Sequence, residues 1–130
     1  MTTERRRAQS GSPFEATIGF SRAVRVGQQI WVSGTAPVEP DGSCRPDAYG
    51  QAVRCLEIIT AALAELDATP ADVVRTRMYL TDIAFADDVA RAHAEVFRDV
   101  RPAATQIVVN ALLDPRWLVE IEADAWVSGS

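Results

Sequence analysis

Apolar residues follow two rhythms along this chain. From Ala52 to Leu66 they recur at steps of three and four: Ala52, Cys55, Leu56, Ile59, Ala62, Leu63 and Leu66. That spacing lines one face of a helix and predicts one over about 48–66. A second helix is predicted over about 86–97, with Val89, Ala92, His93, Val96 and Phe97 as its apolar stripe. Elsewhere the step is two. Val119, Ile121, Ala123, Ala125 and Val127 alternate with polar residues and predict a strand over 119–127. Residues 73–81 and 105–110 read as further strands. Ala23 to Val26 and Ile30 to Ser33, separated by Gly27-Gln28-Gln29, read as a β-hairpin.

Turn residues separate these segments. Pro37, Pro40, Asp41-Gly42 and Pro46 mark a loop over 37–47, and Asp114-Pro115 marks a turn. Thr69 followed by Pro70 has the form of a cap and first residue of a short helical turn. Residues 1–13 are polar and contain Gly-Ser-Pro, and are expected to form a flexible N-terminal arm ahead of one domain over 14–130.

The predicted order is β-β-α-β-α-β-β, an α/β (α+β) arrangement. Two helices can cover one face of such a sheet. Trp31, Met78, Ile107 and Trp126 then supply more apolar surface than the helices hide, and the second face is expected to be buried against copies of the same chain.

Composition narrows the function classes. The 130 residues carry a net charge of −5, which disfavours binding to phosphate backbones, so no nucleic-acid partner is expected. The Arg5-Arg6-Arg7 run is read as part of a solvated tail. No stretch reaches the ~18 apolar residues of a membrane span, and no apolar leader follows the N-terminal charges, so no membrane association is expected. Cys44 and Cys55 match no zinc or redox spacing and are read as reduced thiols of a cytoplasmic protein. The lone histidine, His93, makes a metal site improbable. On its helical stripe it reads as a core or helix-surface imidazole. There is no G-x-S-x-G, P-loop or dinucleotide fingerprint.

Several segments together resemble a known family. Ile18-Gly19-Phe20-Ser21-Arg22-Ala23-Val24 resembles the I-G-P-Y-S-Q-A-V signature of the YjgF/RidA (reactive-intermediate deaminase) proteins. Ile30-Trp31-Val32-Ser33-Gly34-Thr35 is similar to that family's I-[FY]-V-S-G-Q strand. Asp72 to Asp82 is similar to its D-V-V-K-T-T-V-[FY]-[LV]-T-D segment, and Glu120-Ile121-Glu122-Ala123 matches its E-I-E-A. The resemblance implies a chorismate-mutase-like fold, a homotrimer whose sheets pack around a central core, and ligand clefts between subunits. It also implies hydrolysis of enamines or imines to a 2-keto acid and ammonia, with no metal or organic cofactor.

The same resemblance names candidate residues. Glu120 matches the glutamate that orders water, the role of a catalytic carboxylate. Phe20, Arg22, Ser33, Gly34, Ala104 and Gln106 fall at substrate-binding positions. One departure stands out. Where the family has P-A-R-[ST], this chain has Pro102-Ala103-Ala104-Thr105, so the arginine that would grip a substrate carboxylate is Ala104. Losing such a buried charge pair costs about 2–5 kcal/mol of binding. Arg22 is the favoured replacement anchor, with Arg101 and Arg116 as alternatives. Two functions stay open: deaminase-like hydrolysis of a non-standard small-molecule substrate, or a non-catalytic trimeric module that binds a metabolite or a partner. An endoribonuclease, sometimes attributed to the family, fits the acidic charge poorly.

Overall fold

The computed structural model describes residues 4–129. Strand β1 spans Arg5–Ala8, helix α1 Pro13–Ile18, β2 Ala23–Val26, β3 Gln29–Thr35, helix α2 Ala48–Glu65, β4 Val73–Leu80, helix α3 Ala86–Phe97, β5 Ala103–Val108 and β6 Val119–Trp126. They form one mixed α+β domain around a six-stranded sheet in the order β1-β2-β3-β6-β4-β5. Neighbouring strands are antiparallel except β4 and β5, which run parallel with α3 as their crossover.

Local chemistry sets the boundaries. The β2–β3 hairpin turns on Gly27-Gln28, with Gly27 at φ 62, a region glycine enters without steric cost. Asp47 caps α2, its carboxylate accepting from the Gly50 amide at 3.0 Å. Thr69 and Asp72 form a reciprocal capping box around the short turn Pro70–Asp72, as the Thr69-Pro70 pair predicted.

The helices cover one sheet face. Ile30, Val32, Met78, Leu80, Val119, Ile121, Ala123 and Ala125 meet Cys55, Leu56, Ile59 and Leu63 of α2 and Val89 of α3 in a single buried core. The opposite face carries no helix. Trp31, Ile107 and Trp126 lie there 43%, 43% and 47% exposed. An uncovered apolar sheet face of this kind marks an interaction surface. Among the described residues, no helix is long and apolar enough to cross a membrane.

Four sequence expectations need correction. Part of the expected arm is ordered: Arg5–Ala8 pairs with β2, Ala8 is buried, and α1 follows, capped by Ser12 with Pro13 at its first turn. Residues 1–3 lie outside the described residues. Met78 does not add to the open face. It is buried under the helices, because a register shift between Val73 and Arg75 resets the alternation of β4. Val96 is exposed although it was placed on the apolar stripe of α3. The strand expected over 105–110 begins earlier, at Ala103.

Candidate functional site

Strand β6 alternates Val119, Ile121, Ala123 and Ala125 into the core with Glu120, Glu122 and Asp124 onto the open face. The three carboxylates meet different neighbours. Glu122 accepts a short hydrogen bond from the Tyr79 hydroxyl and pairs with Arg77 at 3.3 Å, and Asp124 pairs with Arg77 at 3.5 Å. Glu120 is half-buried and has neither a hydrogen bond nor an ion pair among the described residues. Burial, the largest influence, raises its pKa above the ordinary carboxylate value. The nearby Arg22 charge opposes that rise and Glu122 adds to it.

Glu120 rests against a bulge in β3. Val32 pairs with Ala123 and Thr35 with Ile121, so the ladder shifts across Ser33 and Gly34. A Cβ at Gly34 would collide with Glu120 Oε2; the missing side chain is the space that the carboxylate fills. The segment before β2 buttresses the bulge. The Ser33 hydroxyl donates to the Ser21 carbonyl at 2.7 Å, and the Ser33 amide donates to the Arg22 carbonyl at 2.9 Å. Phe20 is half-buried, and the Arg22 guanidinium lies 5.2 Å from its ring centre. Phe20, Arg22, Ser33, Gly34 and Glu120 are therefore brought together.

Ala104 and Gln106 are elsewhere. They stand on β5, two strands from β6 or about 10 Å across the sheet, with their side chains in register with Thr76 and Met78 on the helix side. There they line a groove of about 260 Å³ with Met78, Ala90, His93 and Thr105. No charged side chain lines it. His93 Nε2 shares a 2.8 Å hydrogen bond with Thr76 Oγ1, and burial lowers the pKa of the ring, so the imidazole is neutral near pH 7. The groove thus offers an amide, a hydroxyl, an imidazole edge and apolar walls.

None of the arginines considered as replacement anchors stands free at this groove. Arg22 is 7% exposed, donates to the Gly34 carbonyl at 2.8 Å and to Thr35 Oγ1 at 3.0 Å, and lies 3.6 Å from Glu15. Exposed Arg101 turns back on the carbonyl of Arg98, and exposed Arg116 pairs with Asp114 at 2.8 Å. Cys55 is fully buried with its thiol pKa pushed far up, so it is no nucleophile. No cluster of metal-ligating side chains occurs among the described residues.

Sequence reasoning missed four participants. His93 was read as a core or surface imidazole and proves to share a groove with Ala104 and Gln106. Tyr79 and Glu122 sit on alternating polar positions of two strands, a signal that becomes a pair only once β4 and β6 are known to be neighbours. Glu15, in a stretch read partly as arm, is the buried partner of Arg22.

Residues 11–127 match the family described as Endoribonuclease L-PSP. An uncharacterized protein of Streptomyces coelicolor is 40% identical over 128 residues, covering 97% of this chain and 96% of that protein. A RutC family protein of Pyrococcus abyssi is 33% identical over 110 residues, covering 82% of this chain and 85% of that one. Among solved structures, a member of the YjgF/YER057c/UK114 family from Mycobacterium tuberculosis superposes with a TM-score of 0.88 at 44% identity, over 95% of this chain and all of that one. The expected chorismate-mutase-like fold is thereby shared with these neighbours.

Proposed function

The chain belongs to the endoribonuclease L-PSP family, the YjgF/RidA proteins, and from that premise we propose that it hydrolyses an enamine or imine to a carbonyl compound and ammonia. The observation that carries the reading is Glu120, a half-buried carboxylate with a raised pKa and no protein partner among the described residues. A general base works best when its pKa lies near the working pH and its lone pairs are free.

The chemistry follows from that group. The imine reacts as its protonated iminium: Glu120 takes a proton from a water as the water oxygen bonds to the C=N carbon, and the C=N π pair settles on nitrogen as a neutral amine. The carboxyl then passes that proton to the nitrogen, and as the C–N bond breaks the carbinol O–H proton returns to the Glu120 carboxylate, leaving a carbonyl and ammonia. An enamine enters the same path once its β-carbon is protonated, which a carboxyl of raised pKa can also do. No metal or organic cofactor is needed.

The substrate in this reading is not a simple 2-imino acid. A carboxylate calls for an arginine fork, and the groove beside Ala104 has no charged lining. The uncharged lining of Gln106, Thr105 and His93 suits a bulkier substrate with a neutral polar group. The separation of that groove from Glu120 supports a cleft completed by another subunit of a homotrimer. The open face with Trp31, Ile107 and Trp126 supports the same assembly. The proposed setting is the cytoplasm, in keeping with two free cysteines.

The uncharged groove also favours a second reading, a trimer that binds a metabolite or partner without turning it over. RNA cleavage is weaker, since the open face carries an acidic row and the one imidazole is already bonded to Thr76. The deciding assay generates imines in situ with an amino-acid oxidase and follows ammonia release across a varied panel. Expected is acceleration on at least one uncharged or bulky imine, lost at least a hundredfold in Glu120→Gln, within the ~10²–10⁴ range of general acid–base catalysis. Release at the buffer rate on every imine leaves the binding reading.

A further inference from the structure

Among the described residues Glu120 has no hydrogen bond to hold it, yet a general base must be placed within about half an ångström. Its carboxylate lies against Gly34, in the space a side chain there would fill. Gly34 is not in the left-handed region, so the backbone does not demand glycine there; the space does. The bulge that presents Gly34 is itself short of ladder partners, because register shifts between Val32 and Thr35.

Arg22 supplies the missing restraint. Its Nη1 donates to the Gly34 carbonyl at 2.8 Å and to Thr35 Oγ1 at 3.0 Å, while Thr35 Oγ1 donates to the Ser33 carbonyl at 2.7 Å. One guanidinium nitrogen thus holds Gly34 directly, and Ser33 through the Thr35 hydroxyl. Glu15 holds the other side of Arg22 from α1, at 3.6 Å from Nε, and Glu15 in turn accepts from the Ser10 amide at 3.2 Å. Both partners of this ion pair are buried, 7% and 4% exposed. Gly34 therefore has Arg22 on its carbonyl and the Glu120 carboxylate against its α-carbon.

We propose that Arg22 is a positioning residue for Glu120: it locks the Gly34 bulge on which the carboxylate rests and places a fixed positive charge beside it. This inference rests on the reading of Glu120 as the general base. It also gives Arg22 a task other than gripping substrate: Nη1 is committed to the Gly34 carbonyl and the Thr35 hydroxyl, while buried Nε faces Glu15 at 3.6 Å without a hydrogen bond.

The charges around Glu120 set the sign of the test. Arg22 draws its pKa down and Glu122 pushes it up, against the larger upward push of burial. Glu122 is itself tied to Tyr79 and Arg77, and Cys55 lies near Glu120 from the α2 side, close to Arg54. Removing the Arg22 charge must therefore raise the Glu120 pKa further.

The experiment is a carboxyl-carbon NMR titration of the labelled protein, with Glu120→Gln used to assign the Glu120 signal. Arg22→Gln should move the Glu120 midpoint upward by about half a unit or more. On an active imine substrate it should lower kcat about tenfold or more with KM little changed, as expected for a displaced catalytic group. Arg22→Lys should keep most of the charge effect while losing much of the kcat, because an ammonium cannot reproduce the fork. If Arg22→Gln strands the buried Glu15 and fails to fold, Glu15→Gln/Arg22→Gln removes both charges and is held to the same two expectations. A variant with lower thermal stability but an unmoved Glu120 midpoint and unchanged kcat overturns the proposal and leaves Arg22 as scaffold only. Full turnover in Glu120→Gln sinks the hydrolytic reading and the proposal with it. Lost turnover there, with an unmoved midpoint in the Arg22 variants, sinks the proposal alone.

Discussion

The two places where candidate residues gather are built in opposite ways. Around the Gly34 bulge, Arg22, Glu15, Ser33 and Thr35 all bond to groups of the same chain. Along β5, five of six residues are exposed, and the strand is the free edge of the sheet. An unprotected edge with Ile107 and Val108 outward is a liability for a lone chain. The contrast separates two kinds of preparation. At the carboxylate end, the bulge against which Glu120 lies is hydrogen-bonded within its own chain. The groove end lies along the exposed edge strand, where the proposed trimer would close a second subunit over it.

The largest expected effect comes from breaking the proposed assembly through the open face. Ile107→Asp places a charge on the open face, and light scattering should report a fall from trimer mass to monomer mass together with loss of ammonia release. An assembly that persists with full turnover would show that this face is not the closing surface. Gly34→Ala strikes the other end. The new methyl must displace Glu120, and turnover should fall about a hundredfold, the scale of a 1 Å misplacement, with the trimer intact. Turnover near wild type would mean that Glu120 can shift without consequence.

Ala104→Arg sharpens the comparison instead. It supplies a fork to the uncharged groove, and hydrolysis of 2-aminoacrylate should rise about tenfold, the worth of ~1.4 kcal/mol in the barrier. A rate already high in the wild type and unmoved by the substitution would refute the uncharged-groove reading. The smallest effect is on stability. The Glu120 pKa is raised in the folded protein from a reference of 4.5, so the folded state takes up its proton more readily than the unfolded chain. Its favourable contribution is present below about pH 4.5 and is lost as pH rises through the higher folded value. Glu120→Gln should therefore melt slightly above wild type at pH 7, and the difference should close at low pH. An equal gap at both pH values would show that burial of the charge is not its cause.

Periodic segments were legible from sequence because their burial is one-sided. Helix α3 spans the residues its stripe predicted, and α2 and β6 differ from expectation only at their last residue. What sequence hid has physical causes. Strand β1 sits at the sheet edge and buries only Ala8, so its arginines read as a solvated tail. The bulges in β3 and β4 break the two-residue rhythm, which misplaced Met78 and gave no warning that Gly34 makes room for a carboxylate. The motif match named Glu120, Ser33 and Gly34 but not their mutual geometry. Arg22 was favoured as a substrate anchor, and its partner Glu15 lies seven positions earlier in a six-residue helix too short to show a stripe.

Strand β6 is made after the other five strands, yet it lies between β3 and β4. Until it emerges from the ribosome, the hairpin-bearing half and the parallel β4–β5 half have no shared hydrogen bonds in the sheet, and Gly34 faces no carboxylate. Closure of the sheet therefore waits for β6, with apolar strand faces exposed meanwhile, a state prone to misassociation. A chain cut short before Val119 loses the catalytic candidate and the joint between both halves at one stroke, so truncated products should be cleared or aggregate rather than persist as inactive subunits.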